Sequence, residues 1–215
     1  RNAAMNDTLF SSYHLTEESI PFYVRELEKR QPAFIDSYPS SIYRIASFLE
    51  SHGQQHRIRP KVIVTSSETL LDYQRKTIMR VFGCPVRDQY GSAEMAGFFA
   101  ECEQGRYHVA AEYGSVQVVD SSGTPLPGGE PGQLCLTGFI TPAMPLVRYL
   151  IGDMARLSAD SCACGRSSAI VESIEGRIDD VIVTPSGRHV GRLDPAFKGV
   201  TGILESQILQ TGHDH

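Results

Sequence analysis

Apolar positions recur at helical spacing in three stretches of the chain and at strand spacing in several others. From Thr16 to Leu27, Ile20, Val24 and Leu27 share one face, with Thr16 as the candidate cap and Glu17 and Glu18 in a first turn where the helix dipole favours acid. Ser41 to His52 repeats the pattern through Ile42, Ile45, Ala46 and Leu49, and Gly53 stands where a left-handed cap is wanted. A third helix is predicted from Thr69 to Phe82, opened by Thr69-x-x-Asp72 as a capping box and stopped by Gly83. Pro60 to Thr65 is a short β-branched run, the mark of a strand buried on both faces, and Cys84 to Tyr90 reads as another strand. Helix, strand, helix, strand in this order predicts an α/β layer with parallel strands.

After Gly91 the pattern changes to strands separated by turns. Gly114 to Asp120, a turn at Ser121-Ser-Gly123, Gln133 to Thr137 and Val147 to Leu157 predict an antiparallel or barrel-like subdomain. Further on, Gly176 to Val183 and Arg188 to Val190 flank Pro185-Ser-Gly187, a hairpin signal.

Composition narrows the class. The 215 residues suffice for one large domain or two modest ones. With 41% hydrophobic and 21% charged residues, and no uninterrupted apolar run of about 18 positions, the chain is neither a membrane span nor a disordered tail. Lys and Arg total 20 against 25 Asp and Glu, a net charge of −5, and the basic residues are scattered. This argues against a nucleic-acid or anionic-lipid binder and against membrane insertion. Five cysteines, an odd number without a secretory leader, predict a reducing, cytoplasmic setting. Cys135 falls at a core position of its strand, and Cys84 has no visible partners. The chain begins at Arg1 and is read as a piece of a longer protein.

Three segments combine glycine with a carboxylate. In Tyr90-Gly91-Ser92-Ala93-Glu94 the glycine lets the chain turn after a predicted strand, Glu94 faces the crevice where α/β sheets bind ligands, and Tyr90 can lie flat against a base. The same five residues also read as a tight turn with a solvated glutamate. In Val147-Arg-Tyr-Leu-Ile-Gly-Asp153, an ionised aspartate past a glycine turn is suited to accept from two ribose hydroxyls, or is an ordinary turn residue. In Gly176-Arg-Ile-Asp-Asp180, an arginine beside paired carboxylates fits a ribose or phosphate oxygen at a hinge, or a surface ion pair in a linker.

Together with Thr65-Ser-Ser-Glu68, Asp88-Gln-Tyr90, Gly129-Glu-Pro-Gly-Gln-Leu134 and Met144-Pro-Leu-Val-Arg-Tyr149, these segments resemble the adenylate-forming superfamily of acyl-CoA synthetases. Within it the chain is similar to the branch of phenylacetate–CoA ligases, coenzyme F synthetase-like proteins and CapK capsule-biosynthesis proteins. The likeness runs from Tyr38 to Gln210, and the tail Gly187-Arg-His-Val-Gly-Arg-Leu-Asp194 favours the CapK side. The resemblance implies the C-terminal part of the family's large N-terminal domain. Residues 1–110 would be a partial nucleotide-binding α/β subdomain, 111–178 a β-rich subdomain, and 179–215 the hinge and the start of a small C-terminal domain. It implies ATP-dependent adenylation of a small carboxylic acid, with transfer to coenzyme A or another acceptor. Ser66, Ser67 and Glu68 match the loop bordering the adenine. Asp88, Tyr90, Gly91 and Ser92 belong to the nucleotide-binding motif, with Tyr90 stacking on the base. Glu94 matches the catalytic acid that holds Mg²⁺, Asp153 the ribose-binding aspartate, Arg177 an arginine near that sugar, and Asp179 the hinge.

Family members also carry a Ser/Thr/Gly-rich triphosphate loop, a composition that nothing between Arg1 and Val64 shares, and a C-terminal lysine, a role that Lys198 stands too early to fill. Leu150 and Ile151 replace the Arg-Thr pair often found before Gly-Asp. The fragment alone is therefore expected to bind nucleotide weakly and turn over poorly, with the remainder of the parent ligase as its partner. Cys102-x5-His108 and Cys162-Ala-Cys164 supply three thiols and one imidazole, the set of a closed tetrahedral zinc site, and similar patterns in the branch imply structural zinc. The acyl pocket is expected to draw on Tyr38 to Tyr43 and on Met95 to Phe98. The alternative is a non-catalytic, zinc-stabilised nucleotide-binding module.

Overall fold

The structure is a computed structural model that describes residues 7–177, 182–185, 189–190 and 207–212. It comprises two compact units that divide between Gly91 and Ser92. The first holds helices α1 (Ile20–Arg30), α2 (Pro39–Ser51) and α3 (Asp72–Phe82) with strands β1 (Phe34–Ser37), β2 (Val62–Ser66) and β3 (Val86–Gly91). β1 pairs with β2 and β2 with β3, both in parallel. This is the expected α/β layer, with one strand more than the sequence pattern suggested.

The apolar helix faces do what their spacing implies. Ile20, Val24 and Leu27 of α1, Ile42, Ile45, Ala46 and Leu49 of α2, and Ile78, Val81 and Phe82 of α3 enter one core with Ile63 and Val86 of the sheet. Burying each of the larger aliphatic side chains is worth about 1.5–3 kcal/mol. α1 begins three residues later than expected, with Ser19 rather than Thr16 at the cap position. Thr16 and Ser19 exchange bonds first, the Thr16 N–H donating to Ser19 Oγ (2.8 Å) and the Ser19 N–H to Thr16 Oγ1 (3.3 Å), so Glu17 and Glu18 ride on a preceding turn. Gln31, at φ 42°, closes the other end through its N–H to the Leu27 carbonyl. The cap position of α3 is likewise Leu71 rather than Thr69, and its N–H donates to Gln74 Oε1 at 3.0 Å. Gly83 ends α3 at φ 66°, as expected.

The second unit contains β4 (Phe98–Glu101), β5 (Tyr107–Val109), β6 (Gly114–Val119), β7 (Pro131–Gly138), β8 (Tyr149–Leu157) and β9 (Ile170–Arg177). Their order is β4-β5-β9-β8-β7-β6, and each neighbouring pair is antiparallel. Residues 92–110, expected with the α/β subdomain, contribute β4 and β5 here because β5 pairs with β9. The hairpin around Pro185 forms as expected, β10 (Ile182–Val183) against β11 (His189–Val190), with the Gln210 amide bonded to both the N–H and the carbonyl of Val183. Asp179, Asp180 and Lys198 lie outside the described residues. Among the described residues, no helix is long and apolar enough to cross a membrane.

Candidate functional site

In the first unit the candidate residues gather at the carboxyl ends of β2 and β3, where parallel sheets present ligand sites. The register sets Thr65 beside Asp88 and Ser66 beside Gln89. The Thr65 hydroxyl donates to the Asp88 carboxylate, and both residues are buried, so this pair fixes the strand ends rather than facing solvent. Ser67 follows with φ at 68°, a left-handed conformation that a non-glycine residue adopts at a cost and that marks a constrained loop. Glu68 turns its carboxylate onto the amino end of α2, accepting from the Ser40 N–H (3.0 Å) and the Ser40 hydroxyl (2.9 Å). Tyr90 and Gly91 close β3, Tyr90 half-buried and Gly91 exposed. A separate cleft of about 360 Å³, lined by His56, Arg59, Pro60, Phe82 and Gly83, belongs to the opposite end of these strands, since Pro60 precedes β2 and Gly83 precedes β3.

In the second unit Ser92 to Met95 form a turn, the Met95 N–H bonding to the Ser92 carbonyl at 3.1 Å. Glu94 is exposed on this turn, with the Tyr149 hydroxyl 3.4 Å from its Oε1. Behind it the chain lies flat on a pair of facing glycines, Gly114 of β6 and Gly138 of β7. A Cβ on Gly114 would stand 2.6 Å from the Ala96 carbonyl oxygen, and one on Gly138 would stand 3.2 Å from the Ala96 Cα. Neither glycine is recognisable as part of a site until the strands are paired.

Asp153 and Arg177 face each other across β8 and β9. Their charged groups are 4.0 Å apart, with the Asp153 side chain 15% exposed and that of Arg177 51% exposed. Gly152 has φ at 87°, and a side chain there would meet Arg177 Nη2 at 3.2 Å. The glycine is thus needed both for the backbone angle and for room under the guanidinium. Arg148, not singled out from sequence except as part of a motif, has φ at 49° and clasps Gln117 Oε1 (2.5 Å) and the Gly123 carbonyl (2.6 Å), fixing the start of β8.

The four expected metal ligands converge. Cys102, His108, Cys162 and Cys164 place their donor atoms within 4.8 Å of one another. Cys102 Sγ and Cys162 Sγ are 3.8 Å apart, and Cys164 Sγ is 3.4 Å from His108 Nε2. A tetrahedral zinc with Zn–S of about 2.3 Å and Zn–N of about 2.0–2.1 Å sets such edges at about 3.8 and 3.6 Å. His108 Nδ1 lies 3.3 Å from Ser168 Oγ, which leaves Nε2 for a metal. Two tight turns present the thiols, the Gly105 N–H bonding to the Cys102 carbonyl (2.9 Å) and the Gly165 N–H to the Cys162 carbonyl (3.2 Å). The Gln104 N–H also points at Cys102 Sγ from 3.4 Å. Burial pushes the Cys164 thiol up, but hydrogen bonds from the Arg166 backbone and guanidinium and from the neighbouring thiols bring it down to about 7. For Cys162 the Cys164 backbone N–H acts downward, and burial with the two adjacent thiols outweighs it to raise the thiol. Cys84 is pushed up by burial alone among its raising influences and packs in the core, as does Cys135 in its strand.

This fold is that of the adenylate-forming CoA ligases. It superposes on 2-hydroxyisobutyryl-CoA ligase in the postadenylation state, in complex with R3-HIB-AMP, with a TM-score of 0.73 and 23% identity over 87% of this chain and 42% of that one. An open conformation of that ligase, in complex with 2-HIB-AMP and CoA, gives a TM-score of 0.70. No protein-family model matches the chain. Its sequence homologues are CapK and the phenylacetate–CoA ligases. It is 31% identical to protein CapK of Staphylococcus aureus over 218 residues, covering 100% of this chain and 47% of that protein. It is 30% identical to the phenylacetate–coenzyme A ligase of Thermus thermophilus over 159 residues, 71% of this chain and 36% of that protein. The chain therefore spans about half the length, or less, of the curated relatives it matches.

Proposed function

We propose that the chain is part of an ATP-dependent carboxylate-adenylating ligase of the CapK and phenylacetate–CoA ligase kind. The observation that carries this reading is the Gly152-Asp153 turn with Arg177 over it, on a fold shared with a ligase solved with its acyl-adenylate. The Ser66–Glu68 loop borders the adenine and Tyr90 stacks on it. Asp88, through Thr65, holds the strand ends from which Gly91 and Ser92 lead to the phosphates. Asp153 accepts from the ribose hydroxyls, which a carboxylate can do with both oxygens, and Arg177 lies beside the same sugar. Glu94, exposed and offering acceptor oxygens, is the residue to hold Mg²⁺, which would neutralise charge at the α-phosphate. An oxygen of the acid attacks the α-phosphorus, the bond to the β-phosphate oxygen breaks, and pyrophosphate leaves. Coenzyme A or another acceptor then takes the acyl group and AMP departs.

The partners in this reading are a small carboxylic acid, the nucleotide, and the remainder of the parent ligase, with Asp179 as the hinge toward it. Zinc at Cys102, His108, Cys162 and Cys164 is structural, and the free thiols fit a cytoplasmic setting. The test is carboxylate-dependent exchange of labelled pyrophosphate into ATP by the complete protein. Exchange with one member of a broad acid panel is expected. Nucleotide binding without exchange on any acid would favour the non-catalytic module instead.

A further inference from the structure

Glu68 reaches across 28 positions to Ser40. The two bonds it accepts there serve the second residue of α2, a helix whose cap position, Tyr38, makes no side-chain cap bond. A carboxylate at this place satisfies an orphan N–H and sits in the favourable field of the helix amino end. The other end of the same residue is covalently next to Ser67, the one residue of the adenine-side loop in a left-handed conformation. Glu68 therefore joins two segments: the Ser66–Glu68 loop at the carboxyl end of β2, and the Tyr38–Tyr43 stretch that opens α2. That stretch is tied further, because the Tyr43 ring packs edge-on against Tyr73 at 5.3 Å.

We infer that Glu68 is a positioning residue, its carboxylate clamping the nucleotide-side loop to the amino end of α2 so that the loop keeps its binding conformation. The inference rests on the adenylation reading and deepens it. Adenine is met by the loop, whereas the Glu68 side chain acts through Ser40. Without the clamp, a strained loop has alternatives to fall into, and nucleotide binding is diminished by the share of time it spends in them.

The experiment is a double-mutant cycle in the complete protein, with AMP titrated calorimetrically and the KM for ATP and kcat taken from pyrophosphate exchange. Glu68→Ala is expected to weaken AMP binding and raise the KM for ATP about tenfold while changing kcat less than threefold, the pattern of lost uniform binding. Glu68→Gln, which keeps an acceptor oxygen, should recover most of this. Ser40→Ala removes the hydroxyl and leaves the N–H, so a two- to threefold effect is expected alone and none in the Glu68→Ala background. If Glu68→Ala does not fold, Glu68→Leu, which keeps the bulk and removes the acceptor, takes its place in the cycle with Ser40→Ala. Additive effects, or AMP binding unaltered by loss of the carboxylate, overturn the clamp and leave the adenylation reading standing. Failure of the unaltered protein to bind AMP overturns both.

Discussion

Loss of any one of Cys102, His108, Cys162 or Cys164 should release zinc and soften the β-rich unit by an amount that follows from the chain it closes. Cys102 and Cys162 are 60 positions apart, yet their sulfurs are 3.8 Å from each other. Cross-linking a loop of about 60 residues removes about 14 cal/mol/K from the unfolded chain, or about 4 kcal/mol at 25 °C. For a chain of this size such a change moves the melting midpoint by roughly 10 °C. The clip needs deprotonated thiols and a neutral imidazole, so the full effect belongs to the zinc-saturated protein. Elemental analysis of the complete protein should give stoichiometric zinc, and scanning calorimetry should show the drop for Cys102→Ser, His108→Ala, Cys162→Ser and Cys164→Ser alike. Cobalt in place of zinc should give the intense visible bands of a tetrahedral thiolate site. Cys84→Ala and Cys135→Ala, which empty core space, should melt lower but keep their metal. Zinc retained by Cys102→Ser, or a chelated protein melting with the untreated one, would refute the reasoning.

Asp153→Ala should weaken AMP binding by more than tenfold, since charge-assisted hydrogen bonds are worth about 1.5–3 kcal/mol; an unchanged affinity removes Asp153 from the sugar. Gly114→Ala places a Cβ 2.6 Å from the Ala96 carbonyl oxygen and 2.7 Å from that of Thr137, both backbone atoms, so the sheet or the Glu94 turn must shift. A loss of about 1–3 kcal/mol in urea unfolding is expected, and an unaltered midpoint would show that the close approach is absent. The Asp120 carboxylate accepts from the Ser122 side chain and from the Thr124, Ser122 and Gly123 backbone, which holds it below the usual carboxylate range. A depressed folded value contributes stability that is complete above the unfolded value of about 3.9 and is lost as pH falls through the folded one. Asp120→Asn should therefore flatten the acid limb of the unfolding profile below about pH 4, and identical limbs would count against it.

The helical faces were legible because an apolar stripe at i, i+3 and i+4 survives in any context that offers a core. Four strands were not. β1 reads Phe-Ile-Asp-Ser, two apolar residues and two polar ones, with no alternation to mark it. β4 and β5 have four and three residues, too short to show a period, and β9 was hidden because one of its partners, β5, lies far away in sequence. In β9 the burial alternation is broken by the adjacent buried residues Ile170 and Val171 and the adjacent half-buried residues Ser173 and Ile174, and the register slips twice against β8. The zinc ligands were visible as residue types, but their assembly depends on β5 lying against β9, which no local pattern announces. The motif residues Asp153 and Arg177 were named from glycine-carboxylate spacing, and the structure does bring these two together. The Ser40 partner of Glu68 and the platform of Gly114 and Gly138 went unnoticed, because a polar residue at a helix start and a glycine in a strand each have many ordinary explanations.

The two glycine motifs are in fact one device. Gly152 precedes Asp153 at φ 87° and Gly176 precedes Arg177 at φ 101°. Each lies at an irregularity, where β8 slips against β7 between Gln133 and Cys135, and against β9 between Met154 and Ala155. A regular ladder would carry side chains at every position and close the surface. The bulges bend the strands, and the bare Cα at 152 leaves space into which the Arg177 guanidinium folds. The arginine can then reach the Ile151 carbonyl (3.5 Å) while standing 4.0 Å from the carboxylate, too far for a tight bidentate pair.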